Sequence, residues 1–253
     1  ASGLMCGYLL GKQNKEVLIL DKNSSPGKKL SATGNGRCNF TNRHMVPACY
    51  FGDQNFVTKV LEKFDAERAV ELFEEIGIYH REREGYCYPY NGQASSVVRL
   101  LVMACEENGV SFAFDTKVLK VIHKKDGYEV IARNNVHYGC KKLILATGGK
   151  ACESLGGDGS GYKLCRSLGH QITSVYPGLT GLKAAGNEWK LLSGVRMQGK
   201  VSLYSGERLI RSESGEIQIV KDGISGIPVF QLCRLAAQEL AQSRTVTCGI
   251  DFF

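Results

Sequence analysis

The 253 residues include ten cysteines, yet no C-x-x-C pair occurs anywhere. Zinc ribbons and thioredoxin-like redox sites depend on such close pairs, so neither is expected. Disulfide scaffolds are short and loop-rich, which this chain is not. The cysteines are therefore expected to be free thiols, mostly buried, in a reducing cytoplasm. The five histidines have no companions at ligand spacing, so no metal site is expected. No Ser-His-Asp or Cys-His pairing follows from spacing either, and no catalytic acid or base can be named. No apolar run approaches the roughly 18 residues that cross a bilayer, and no charged-then-apolar leader opens the chain. Internal repeats, low-complexity tracts and long basic runs are likewise missing.

What is present is an ordinary globular composition, with 43% hydrophobic and 23% charged residues. Lys and Arg outnumber Asp and Glu by 32 to 25, a formal charge of +7. That surplus suits an anionic ligand such as a nucleotide pyrophosphate and leaves RNA open.

Ala1 to Gln13 reads as a helix anchored by Leu4, Leu9 and Leu10. The unbroken aliphatic run from Glu16 to Asp21 reads as a parallel strand buried on both faces. A Gly/Lys-rich loop follows, from Ser24 to Asn42. Val57, Val60, Leu61 and Phe64, then Ala69, Leu72, Phe73 and Ile76, recur at helical spacing. Tyr86 to Tyr90 is a short aromatic strand, and Pro89 places it at a sheet edge. Ala94 to Asn108 is a helix stopped by Gly109. The period then becomes two: Val110–Phe114, Lys117–His123, Tyr128–Ala132 and Val136–Tyr138 read as a β-meander. A further aliphatic strand, Leu143 to Ala146, ends at Thr147-Gly148-Gly149. A second glycine-rich loop, Gly156 to Gly161, feeds a helix from about Tyr162 to Leu168. After His170 glycine alternates with short apolar stretches, with a helix over Pro228 to Gln242. A second, mainly β domain is expected from residue 171. The run Ile250 to Phe253 looks like the inside of a strand, and truncation at both ends is expected.

Helix, strand and acidic strand end form the second half of a dinucleotide-binding βαβ unit. Gly3, beside Ser2, would be the third glycine of a G-x-G-x-x-G turn. Asp21, followed by Lys22, stands where a carboxylate accepts hydrogen bonds from ribose hydroxyls. The segment Pro26 to Asn42 is chemically dense. Gly34 and Gly36 permit positive φ and close approach of backbone to ligand. Lys28, Lys29 and Arg37 suit phosphate oxygens, and Ser31, Thr33, Asn39 and Thr41 add donors and acceptors. Cys38 is the one thiol inside this segment, with a structural role favoured over a redox one. Thr147, Gly148 and Gly149 leave room at the carboxyl edge of the sheet, where ligands of α/β folds bind. Asp158 either caps the next helix or contacts a ligand.

The run Gly27-Lys28-Lys29-Leu30-Ser31-Ala32-Thr33-Gly34-Asn35-Gly36-Arg37-Cys38-Asn39-Phe40-Thr41-Asn42 resembles the signature of the HI0933-like (BaiN-type) NAD(P)/FAD-dependent oxidoreductases. Tyr88-Pro89-Tyr90 with Gln93 to Val97, Leu143 to Lys150, Gly156 to His170, and Gly223 to Pro228 resemble further family motifs in the same order. Gly223 to Pro228 is one residue out of step with the family's Gly-Ile-Ser-Gly-Pro, and Tyr86 stands where Arg is frequent. The resemblance implies a glutathione-reductase-like flavoprotein fold. It also implies a signature loop running along FAD, and a backbone contact from Val118 to the adenine edge.

Together these readings specify an α/β chain. A Rossmann-like FAD-binding domain with a β-meander spans residues 1–170, and a partial, mainly β inserted domain spans 171–253. The expected function is an FAD-dependent oxidoreductase moving a hydride between NAD(P)H and a small organic acceptor, with C=C reduction as the finer suggestion. The alternatives are a flavin-dependent protein that modifies or binds RNA, or an inactive truncated remnant. Nucleic acid and membrane are not the expected partners, and oligomeric state is open.

Overall fold

The computed structural model describes residues 1–186 and 188–252. Its contacts divide the chain into two units, Ala1–Ile172 and Thr173–Phe253.

The first unit opens with α1 (Ser2–Gly11). Gly3, Gly7 and Gly11 recur every four residues and so share one helix face. A methyl group at Gly3 would stand 3.4 Å from the Ala146 Cβ, and one at Gly7 would stand 2.7 Å from the Ile19 Cδ1. This glycine stripe lets the helix lie close on β1 (Leu18–Leu20). Leu4 and Tyr8 are buried beside the stripe, but Leu9 is 38% exposed. Leu9 was expected as an anchor, yet the glycines set the contact face and turn it outward.

The loop after β1 contains one turn of helix, α2 (Lys28–Ser31), and a 3-10 turn over Thr33–Gly36. It leads into the two-residue β2 (Thr41–Asn42). Next come α3 (Gln54–Lys63) and α4 (Ala66–Glu75). Asp53 caps α3 by accepting from the Phe56 N–H at 3.0 Å, and Asp65 caps α4 by accepting from the Arg68 N–H at 2.9 Å. Each cap stabilises its helix by about 1 kcal/mol.

β3 (His80–Arg83) and β4 (Tyr86–Pro89) join β2 in a sheet of order β2-β4-β3. The aromatic strand β4 is therefore central, not the edge strand that Pro89 suggested. The proline is tolerated because β2 pairs only with Tyr86 and Cys87 and does not reach it.

The long helix α5 (Ala94–Glu107) buries Ala94, Val97, Leu101, Ala104 and Cys105. They pack with Leu4, Tyr8 and Ile78 in the main core, and Gly109 at φ 74° ends the helix region. β5 (Ser111–Ala113) then pairs in parallel with β1, Leu18 facing Ser111 and Leu20 facing Ala113. This strand was expected in the meander. The helical crossover through α5 delivers it beside β1 instead.

The meander consists of β6 (Val118–Lys124), β7 (Gly127–Ala132) and β8 (His137–Cys140), all antiparallel. Residues 143–146, expected as a strand, form no ladder with any described strand. Leu143 and Leu145 nevertheless pack with Leu20, Val121, Val130 and Leu164 in a second core. Leu164 belongs to α6 (Ser160–Ser167).

The second unit is a five-stranded antiparallel sheet with one covering helix. Its strands are β9 (Leu182–Lys183), β10 (Arg196–Ser205), β11 (Arg208–Val220) and β12 (Gly223–Gly226). Then follow α7 (Ile227–Ala241) and β13 (Val246–Asp251). The sheet order is β13-β10-β11-β12-β9. Val201, Leu203, Ile217, Val229 and Leu232 are buried between sheet and helix. Period-two alternation turns the opposite face of β10 outward as Arg196, Gln198 and Lys200.

No helix among the described residues is long and apolar enough to cross a membrane. Among the same residues, no cluster of three or more His, Cys, Asp or Glu could hold a metal ion. All ten cysteines are free, as expected; Cys38, Cys87, Cys105 and Cys233 are buried, four more are half-buried, and Cys49 and Cys152 are exposed, so burial is less general than expected.

Candidate functional site

The site is built around the carboxyl end of β1. The Asp21 N–H donates to the Ala113 carbonyl at 3.0 Å, and the Asp21 carbonyl accepts from the Thr116 N–H at 2.9 Å. Its side chain is thus fixed at the root. Asp21 Oδ1 accepts from the Asn23 backbone N–H at 2.9 Å and from Asn23 Nδ2 at 3.0 Å. Among the described residues no hydrogen bond reaches Oδ2. The start of α1 lies next to this carboxylate. Asp21 and Cys38 both lie within electrostatic reach of the Ala1 backbone nitrogen. Ala1 at the cap position of α1 makes no side-chain cap bond, and the first-turn N–H groups of a helix point outward along its axis.

Ala146 packs against Gly3, which brings the turn Thr147-Gly148-Gly149 to the same place. Gly148 has φ 74°, and no atom lies within 4 Å of where its side chain would be. Gly161, near the start of α6, sits directly on Thr147: a methyl there would be 1.8 Å from the Thr147 Oγ1. The loop before α6 returns to β1. Lys22 Nζ pairs with Asp158 Oδ2 at 2.6 Å, and Asp158 Oδ1 accepts from the Ser160 N–H at 2.9 Å. Lys22 first, then the hydroxyl and N–H of Ser160, hold the Asp158 carboxyl far below the usual carboxylate range.

The dense loop contributes in two ways. Part of it is committed to its own shape. Thr33 Oγ1 donates to the Leu30 carbonyl at 2.6 Å, and the Cys38 N–H donates to the Thr33 carbonyl at 3.0 Å. The Asn39 amide nitrogen, oriented to satisfy its neighbours, donates to the Thr41 carbonyl at 2.9 Å and the Cys87 carbonyl at 3.2 Å. Cys38 is fully buried, and burial pushes its thiol up. The other part is free. Gly34, Gly36 and Arg37 are exposed, nothing lies within 4 Å of a side chain built at Gly36, and the Arg37 guanidinium has no partner among the described residues. Lys29 is exposed and its charge reaches Cys152. Val118 is half-buried at the start of β6 and faces Ala132 across the ladder.

Ser2, Gly3, Asp21, Lys22, Cys38, Thr147 to Gly149 and Asp158 therefore gather around the end of β1. Lys29 borders the loop at Cys152. Thr33 and Asn39 serve the backbone of their own loop, and Lys22 is spent on Asp158. Reading the sequence missed Asn23 and Cys152. The Asp-x-Asn pattern after the strand, typical of an Asx-turn, was the signal for Asn23. Cys152 carries no such signal.

The donor set suits a dinucleotide. Asp21 Oδ2 is an open acceptor for ribose hydroxyls, and the start of α1 offers N–H groups to phosphate oxygens. Arg37 and Lys29 add charge, and Gly148 and Gly36 leave space that a Cβ would occupy.

A family model describing the HI0933-like protein Rossmann domain matches residues 1–249. A 3-dehydro-bile acid delta(4,6)-reductase from Clostridium scindens is 38% identical, over 100% of this chain and 62% of its own length. A ribosomal RNA dihydrouridine synthase from Escherichia coli is 30% identical, over 92% of this chain and 58% of its own. A protein of the same name from Haemophilus influenzae is 28% identical, over 92% of this chain and 58% of its own. The chain thus spans about three-fifths of the length of these relatives. Helix on strand, acid at the strand end, glycine turn and the family match all agree, and the chain belongs to the HI0933-like family through its Rossmann domain.

Proposed function

We propose that the chain is the FAD-binding part of a flavin-dependent oxidoreductase that takes a hydride from NAD(P)H and delivers it to a small organic acceptor. The observation that carries this reading is Asp21 at the end of β1, held through Oδ1 by Asn23 with Oδ2 open among the described residues. FAD, when bound, supplies the two-electron chemistry. The chain's own part is to hold it. Asp21 would accept from the ribose hydroxyls, and the α1 N–H groups with Arg37 and Lys29 would meet the pyrophosphate. Thr147 to Gly149 would give it room, and the backbone at Val118 would meet the adenine. Reduction of a carbon–carbon double bond is the finer suggestion, because the matched reductase and the dihydrouridine synthases are both named for adding hydrogen to an unsaturated ring.

The test is direct. Protein expressed from the whole reading frame should purify with flavin absorbance, release FAD on denaturation and lose its colour when NADH or NADPH is added without oxygen. Colourless protein that takes up no added FAD defeats the proposal and leaves the inactive remnant.

A second reading, RNA as the acceptor, is favoured by the two matched RNA-modifying proteins and by the +7 charge. Against it, many cations of the second unit are paired internally, as in Lys183–Asp222, Arg196–Glu216 and Arg211–Glu213. Affinity for a ribosomal RNA fragment that falls steeply with salt would favour it. Flavin turnover on a small enone, with no RNA binding, would exclude it.

A further inference from the structure

We propose that Lys22 and Asp158 form a latch that holds the glycine turn 156–159 against the end of β1 and so positions Asp21 for the ribose. The inference rests on the FAD reading above. Three consecutive residues after β1 divide the work. Asp21 keeps one carboxylate oxygen open. Asn23 fixes the other with two hydrogen bonds of 2.9 and 3.0 Å. Lys22 ties in a loop more than 130 positions away through its 2.6 Å pair with Asp158 Oδ2.

The turn is seated by contact as well as by charge. A side chain built at Gly156 would stand 3.0 Å from Asn23 Nδ2 and 3.6 Å from the Lys22 Cε. Gly156, at φ 93°, thus lies against the residue that orients Asp21. The Asp158 carboxylate is committed on both sides, to Lys22 through Oδ2 and to the Ser160 N–H through Oδ1 at 2.9 Å. With side chains 25% and 21% exposed, the pair is partly shielded from water. Both residues carry charges that invite assignment as phosphate or substrate contacts. Their geometry instead makes them positioning residues, acting through Asn23 and the turn.

The experiment uses Lys22→Met, Asp158→Asn and their double variant, with Lys22→Arg as the conservative control. FAD dissociation constants are measured by fluorescence, and amide exchange over residues 156–160 is followed in cofactor-free protein. Each single variant should weaken FAD binding roughly tenfold, the size of one lost charge-assisted hydrogen bond, and should speed exchange in the turn. The double variant should cost no more than the worse single, and Lys22→Arg should restore both readouts. Losses that multiply in the double variant would mean two independent ligand contacts and overturn the latch. Faster exchange with unchanged FAD affinity would reduce the pair to a structural role and overturn the positioning claim. Unchanged exchange in every variant would overturn it outright. Wild-type protein that binds no FAD at all brings down the FAD reading itself, a result distinct from any of these.

Discussion

Gly11 of α1 lies so close to Asn108, just after α5, that a methyl group on Gly11 would stand 2.7 Å from the Asn108 carbonyl oxygen. That oxygen is backbone and cannot swing aside. At Gly7 on the same helix face the obstacle is the Ile19 Cδ1, also at 2.7 Å, but this is the tip of a flexible side chain. Gly11→Ala should therefore destabilise the first unit by about 1–3 kcal/mol from overpacking. Gly7→Ala should lie within about 1 kcal/mol of wild type, because the helical preference for Ala offsets the crowding. Urea melts of both variants check this, and equal stability of the two would refute the close-packing account.

The cysteines should separate by reactivity. Cys152 is exposed. Its thiol is lowered first by the Ser154 hydroxyl, and also by the Leu155 N–H and the charge of Lys29. Cys105 is buried and pushed up to about 11. Since the thiolate is the nucleophile, brief treatment with iodoacetamide near neutral pH should label Cys152 well before Cys105. Peptide mass spectrometry gives the order, and prior labelling of Cys105 would contradict it.

The Asp158 pair gives stability a pH dependence of known sign. The folded-state pKa is depressed below the ordinary 3.8, so the contribution is fully present above that value. It is lost as pH falls through the folded-state pKa. The stability gap between wild type and Asp158→Asn should be constant above about pH 5 and shrink on acidification below about pH 4. A gap that widens in acid would reverse the assignment.

Arg43, just after β2, ties its segment to two elements, α4 and β3. Its guanidinium pairs with Glu67 of α4, reaches Glu82 of β3 at 3.3 Å, and meets Nε2 of His80 at 3.2 Å. Arg43→Lys offers one ammonium where three nitrogens were used. A loss of about 1–2 kcal/mol should appear as a drop of a few degrees in Tm. Full retention of Tm would show that the three contacts are solvent-screened.

Much of this architecture could be read from residue order, for physical reasons that differ by element. α3, α4 and α5 announce themselves because Val57, Val60 and Leu61, or Val97, Leu101 and Ala104, repeat near 3.6 residues. β3 does not: His80, Arg81, Glu82 and Arg83 have no apolar alternation, and only pairing with β4 makes them a strand. The partner of β5 was equally invisible, since a parallel register is decided by a crossover and not by the strand itself. β10 could have been found, because Met197, Val201 and Leu203 keep one parity along the strand. At the site, glycines, cations and Asp21 were visible as chemistry. Which charges were already spent on each other, as with Lys22 and Asp158, was not, because residue order carries no distances.

β13 closes one side of the second unit's sheet, bonded to β10 from Val246 through Asp251, and no described strand lies on its other side. Its outward amides and carbonyls are a ready template for another chain's backbone. No proline breaks the row, and Asp251 is its only acid or base. Concentrated solutions are therefore expected to lose material through edge-to-edge pairing at this strand before any of the three hydrophobic cores opens.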